Sequence, residues 1–259
     1  MSDSGRRYVA IGKNIRNELQ SSKYKVGDRL PTEREIGEQY GVSRTVIREA
    51  IIMLELEGLV EVRKGSGVYL MAKPDESSST SAEGHDSLGF NVTEGDIGPF
   101  EMLQGRQLIE SNIAEFAAIN ITKSEIFEMR KILNEERELV EAGAPSDEQD
   151  KQFHILIANA TKNTLLIEIS AAMWARRAES KMWAQLHTHI ESSAYRLKWL
   201  EDHSAILMAL QRKDSQAAKK AMWQHLENVK EALLRFSDID DDNFDGYLFD
   251  SYPLSLPCN

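Results

Sequence analysis

The stretch TEREIGEQYGVSRTVIREAIIMLELEGLVEVRKGSGVYL, residues 32–70, decides the fold. Thr32-x-x-Glu35 is a capping box that opens a short helix with Ile36 and Tyr40 facing inward. Gly41-Val42 supplies a tight turn, and Ser43 stands where an N-cap would start the next helix. Ile47, Ala50, Ile51 and Leu54 form the apolar stripe of that helix, which Gly58 ends. Two short strands, Leu59–Arg63 and Val68–Leu70, then flank Lys64-Gly65-Ser66-Gly67, the signature of a hairpin. Upstream, Tyr8, Ile11, Ile15 and Leu19 line one face of a further helix. Helix, helix-turn-helix and β-hairpin in this order predict a winged helix-turn-helix.

In such a fold the N-terminal residues of the second helix of the pair meet base edges in the major groove. Here these are Ser43, Arg44, Thr45 and, one turn on, Arg48. Arg44 and Arg48 are four apart and share a face opposite the apolar stripe, where guanidinium groups can grip guanine O6 and N7. Ser43, Thr45 and the helix start suit phosphate oxygens, and Arg34 suits either a phosphate or a base. Lys64 at the wing tip would follow the backbone into a minor groove, with Gly65 and Gly67 permitting close approach.

Charge supports this division of labour. The 259 residues carry a net −11, yet residues 1–73 hold 13 Lys/Arg against 10 Asp/Glu. Residues 74–97 hold six acids and no base, and six more acids lie between Asp238 and Asp250. A basic head on an acidic remainder fits a polyanion partner. With 41% hydrophobic residues and 6 Pro, the chain is neither disordered nor fibrous. Membrane spans and a secretory signal are not expected, and a single cysteine, Cys258, fits a reducing cytoplasm. The expected organisation is a head over 1–73, a flexible acidic linker over 74–97, an all-helical body over 98–237 and an acidic tail over 238–259. The body predicts six or seven helices and no alternating strands, so the chain as a whole is mainly α. Thr122-x-x-Glu125 is a second capping box, Ser146 and Asp214 suit N-caps, and Gly143 suits a stop.

The body also carries a candidate metal site. Asp150 and His154 stand at i, i+4 on the side shared by Phe153 and Ile157. His203 and His225 fall in two further apolar stripes joined by the short turn Arg212-Lys213-Asp214-Ser215. Each lies 11 residues from Asp214, so in antiparallel helices both stand about 16 Å from the turn. Three neutral imidazoles and one carboxylate suit a divalent ion, zinc by default, with nickel, cobalt or manganese as alternatives. A hydrogen-bonded core histidine is the plain alternative for each residue taken alone. Arg106 shares an inward face with Glu110, which either satisfies it or leaves it to fork onto an effector carboxylate. Arg177 is a further candidate for that role. His187 and His189, two apart, do not share a helix face and read as surface or pocket-rim residues, and Cys258 reads as inert.

Residues 29–70 resemble the winged-helix domain of GntR-superfamily transcriptional regulators. The resemblance implies operator contacts at Arg34, Arg44, Arg48 and the glycine-containing wing tip. The body resembles the all-helical FCD ligand-binding domain of the fatty-acid-regulator branch, whose metal-binding members match Asp150, His154, His203 and His225. Residues 98–118, 221–230 and 245–250 resemble the hexuronate-utilisation regulators. That likeness implies a homodimeric repressor on a palindromic operator, released by a uronate-type sugar acid. Two alternatives stay open: a metal-dependent enzyme with a fused DNA-binding head, and a regulator whose metal is purely structural.

Overall fold

The computed structural model describes residues 7–63, 65–74, 84–85, 91–92, 97–188 and 194–236. Helices α1 (Arg7–Gln20), α2 (Glu33–Tyr40) and α3 (Arg44–Leu56) precede the strands β1 (Val60–Arg63) and β2 (Gly67–Leu70). The capping box at Thr32 forms as expected: its hydroxyl accepts from the Glu35 amide while the Glu35 carboxylate accepts from the Thr32 amide. Gly41 adopts φ 64°, ψ 38°, a left-handed conformation that a side chain disfavours, and so turns the chain between α2 and α3. Ser43 occupies the N-cap position of α3 without a side-chain cap bond, its Oγ lying 3.0 Å from Thr45 Oγ1 instead. The hairpin pairs Val60 with Leu70 through Arg63 with Gly67. Residues 28–30 add a short third edge, as Leu30 N donates to Val68 O and Leu70 N to Asp28 O. Tyr8, Ile11, Ile15 and Leu19 of α1 join Ile47, Leu54 and Leu70 in the buried core of this head. At about 1.5–3 kcal/mol per fully buried large apolar side chain, these residues carry most of the head's stability.

The expectation of an unstructured linker needs one correction. Gly84–His85 (β3) and Asn91–Val92 (β4) pair as a two-residue antiparallel ladder between head and body. Lys64 lies outside the described residues, as do His189, Cys258, most of the linker and the acidic tail; of His187 only the backbone is described.

The body comprises α4 (Pro99–Asn120), α5 (Lys123–Glu141), α6 (Asp147–Ala160), α7 (Thr164–Glu179), α8 (Lys181–Thr188), α9 (Ala194–Gln211) and α10 (Ser215–Phe236). These seven helices satisfy the expected bundle, and the chain is mainly α with a winged helix-turn-helix head. The Thr122 box forms, and Asp214 Oδ1 accepts from the Ala217 amide at 3.0 Å to start α10. Ser146 stands at the N-cap of α6 but makes no cap bond with its side chain. Lys213 at φ 55° closes the tight turn that sets α9 and α10 side by side. Helix α4 packs along α10 and against α6, while α5 packs on both α6 and α9. The middle of the bundle is thereby enclosed by α4, α5, α6, α9 and α10. Among the described residues no helix is long and apolar enough to cross a membrane.

Head and body meet on α3. Arg48 Nη1 donates to the Leu234 carbonyl near the end of α10 at 2.8 Å, and Glu49 Oε1 accepts from the Phe100 and Glu101 amides at the start of α4.

Candidate metal centre and nucleic-acid interface

Helix α6 presents Asp150 and His154 one turn apart on its inner side, and α9 and α10 present His203 and His225 at the same level. One ligand atom from each of these four residues lies within 4.8 Å of all the others. His154 Nε2 stands 3.5 Å and His203 Nε2 3.6 Å from Asp150 Oδ1, and the Nε2 atoms of His203 and His225 are 3.3 Å apart. Ligands about 2.1 Å from a tetrahedral ion are about 3.4 Å from each other, so these three edges have the dimensions of a coordination shell. All three imidazoles are buried, His203 completely. Phe153 stacks on the His203 ring at 4.7 Å between centroids and holds its plane.

Each imidazole turns its other nitrogen toward a carboxylate. Glu110 Oε2 of α4 lies 2.5 Å from His154 Nδ1, and Glu136 Oε2 of α5 lies 3.0 Å from His203 Nδ1. Asp202 Oδ2 of α9 stands 3.5 Å from His225 Nδ1, its carboxylate held by the Asn228 amide. An ionised carboxylate only accepts, so at His154 and His203 it favours the proton on Nδ1 and the Nε2 lone pair toward the cluster, whereas His225 Nδ1 is buried without a hydrogen-bond partner among the described residues. Lone pairs on the His203 and His225 Nε2 atoms, 3.3 Å apart, repel unless a cation or a proton sits between them. His154 Nε2 is buried with no hydrogen-bond partner, a further open ligand atom. The donor set therefore fits a divalent ion.

Electrostatics favours charged carboxylates and a neutral His225, and differs at His203. Burial works against a charge on Asp150, but Arg177 and then His154 outweigh it and hold the carboxyl at about 2. Burial likewise opposes ionisation of Glu110, and Arg106 with His154 keeps it well below the usual carboxylate range. Burial and the neighbouring His203 push His225 down to about 3, which keeps it neutral. His203 moves the other way, since Glu136 outweighs the cost of burying a charged ring.

Of the two readings open for Arg106, the structure shows the bond to Glu110. Its Nε donates to Glu110 Oε1 at 2.6 Å and its guanidinium lies 4.2 Å from the Trp174 ring centre. A buried guanidinium takes the nearest anion, and Glu110 one turn along α4 supplies it. Arg106 thus steadies the carboxylate behind His154. Arg177 lies between the rings of Trp174 and Trp183, at 4.7 and 4.8 Å. Its Nη2 reaches Asp147 at 3.4 Å and Asp150 at 3.6 Å, both long, while its Nε and the Trp174 Nε1 are buried donors with no acceptor among the described residues.

Sequence reasoning missed Glu136, Asp202 and Trp174. Glu136 was legible in principle: it sits in the stripe Met129, Leu133, Glu136, Val140, where an acid among apolar residues needs a buried partner. Asp202 and Trp174 carry no such signal, because their neighbours come from distant helices.

On the head, Arg34 is exposed and paired with Glu38 at 3.1 Å, Ser43 is exposed, and Arg44 is half-buried. Gly65 marks the wing turn at φ 68°. Thr45 and Arg48 differ from the expectation of open DNA contacts, both being buried, Arg48 with only 4% of its surface exposed. Glu33 binds the Arg48 guanidinium through Nε and Nη2, and the Leu234 carbonyl takes Nη1. A guanidinium so engaged cannot present its fork to a base.

Residues 7–70 match the family model for bacterial regulatory proteins of the gntR family, and residues 101–228 match the FCD domain. The Uxu operon transcriptional regulator of Escherichia coli K12 is 53% identical over 251 residues, covering 96% of this chain and 95% of that protein. The Uxu operon regulator of Haemophilus influenzae is 48% identical, over 96% and 90% of the two chains. The Exu regulon transcriptional regulator of E. coli K12 is 44% identical, over 98% and 95%. All are regulators, which decides against the enzymatic reading. With a winged head, an FCD body and relatives matched along almost the whole chain, this protein belongs to the GntR family as a DNA-binding transcriptional regulator.

Proposed function

We propose that the chain is a homodimeric, metal-dependent repressor of sugar-acid catabolism genes, released from a palindromic operator by a uronate-type carboxylate. The gene set is supported by relatives that regulate the Uxu operon and the Exu regulon. The observation that carries the metal is the pair of Nε2 atoms 3.3 Å apart, with a carboxylate behind each ring. Asp150, His154, His203 and His225 would hold the ion, zinc before nickel, cobalt or manganese. With four protein ligands, an oxygen of the effector would find room only on an ion that takes five or six ligands.

The unpartnered donors Arg177 Nε and Trp174 Nε1 would receive the anionic end of the effector, while Arg106 acts through Glu110 on His154. On DNA, Arg34, Ser43, Arg44, Thr45, Lys64 and Gly65 would meet the duplex, with Arg48 once it is released from the body. Exposed Leu108, Phe116 and Ile119 lie on one side of α4 and support a twin-copy interface. Two heads would then address half-sites about 34 Å apart.

Thermal unfolding against a uronate panel, with and without chelator, tests the reading. A ligand at about 100 times its Kd stabilises by roughly 2.7 kcal/mol. No shift with any uronate in the metal-loaded protein would refute the effector. A second reading, a purely structural metal, is favoured by the near-complete burial of the three histidines. It requires the cobalt spectrum to stay unchanged when the stabilising uronate is added.

A further inference from the structure

Helix α4 begins without a cap of its own. Its N-cap is Gly98, which has no side chain, and Pro99 follows with no amide hydrogen to donate. The next amides, Phe100 and Glu101, both donate 3.0 Å bonds to Glu49 Oε1, a carboxylate carried by helix α3. A Cβ at position 98 would lie 2.2 Å from that oxygen, so glycine is what lets Glu49 in. One residue earlier, Arg48 reaches the Leu234 carbonyl near the end of α10. Two adjacent side chains of α3 therefore hold the start of α4 and the end of α10.

The face they use includes the face that major-groove docking requires. Arg48 lies one turn after Arg44 on the same side of α3, and here it is buried between Glu33 of the head and the Leu234 carbonyl of α10. DNA cannot reach the Arg48 guanidinium while the Leu234 carbonyl holds its Nη1 and the side chain stays buried. We propose that this contact is an autoinhibitory latch: the docked head is a DNA-excluded state, and operator DNA binds after Arg48 and Glu49 let go of the body. Apparent operator affinity then equals the intrinsic affinity scaled by the undocked fraction. The two anchoring helices also carry centre residues, Arg106 and Glu110 on α4 and His225 on α10. The proposal rests on the DNA-binding class of the protein and not on the identity of effector or metal.

Gly98→Ser separates the latch from mere helix stability. Serine would give α4 an internal cap while displacing Glu49, and it adds no charge that repels DNA. The test uses the full chain and a duplex selected by the wild-type protein from a random-sequence pool. Gly98→Ser should bind that duplex about fivefold more tightly, the scale of losing one carboxylate from a helix start. Glu49→Gln, which keeps the shape and loses the charge, should bind about twofold more tightly and serves if the serine variant does not fold. In the wild type, amide exchange at Phe100 and Glu101 should speed up when the duplex is added. Equal or weaker binding by the folded variants, or amides equally protected in the DNA complex, overturns the latch.

Discussion

Head and body both bury an apolar core, but the body sets a larger cluster of polar and charged residues within its own. The head's centre is Ile47, Leu54 and Leu70, with most of its charges at the surface, whereas the body's centre holds Arg106, Glu110, Glu136, His154, Arg177, His203 and His225. An apolar core is the cheaper way to stabilise a fold, since buried charges repay their desolvation only with full partnering. The head is thus built to offer charges outward to a polyanion, and the body is built to gather them around a centre. Glu33, Arg48 and Glu49 are the exceptions in the head: Glu33 binds Arg48, and the body partners Arg48 at Leu234 and Glu49 at the start of α4.

Four substitutions sharpen or break this contrast. The largest effect is expected from His203→Ala, which leaves the Glu136 carboxylate buried without its imidazole. Destabilisation of about 3–5 kcal/mol and loss of metal affinity should appear in urea titration and in metal competition. Leu54→Ala in the head should cost about 2–5 kcal/mol while leaving metal affinity in place; a drop in metal affinity would show that the two centres are not separable. Arg44→Ala should remove roughly 1–3 kcal/mol of discrimination between operator and mismatched duplex, read by competition gel shift, with no change in metal content. Trp174→Phe keeps the ring between the two arginines and removes only the indole N–H. It should weaken a bound uronate by about 1 kcal/mol in calorimetry and leave the metal-free melting curve in place.

Legibility followed the range of the interactions. The capping boxes at Thr32 and Thr122 depend on residues three apart, and both form as read. The meeting of His203 and His225 was readable because both are counted from a single turn, which fixes their height in an antiparallel pair. Asp150 and His154 were readable as a pair through their i, i+4 spacing, yet their convergence on the α9–α10 pair needed the packing of α6. Arg106 was ambiguous from spacing alone, and the fold resolved it toward Glu110. Arg48 was read as a DNA contact because its face is apparent from periodicity, while the strand-like pairing at residues 84–85 and 91–92 had no pattern to announce it.

The chain's own order of residues determined the helices and the wing hairpin and named the four residues of the candidate centre, because periodicity, caps and turns act within a few residues of one another. Only the tertiary structure decided which carboxylate backs each imidazole, that Trp174 and Arg177 hold unpartnered donors, and that Glu49 caps a helix of the body. Those outcomes depend on which distant surfaces pack together, and a buried charge takes its partner from whatever helix the packing brings within reach.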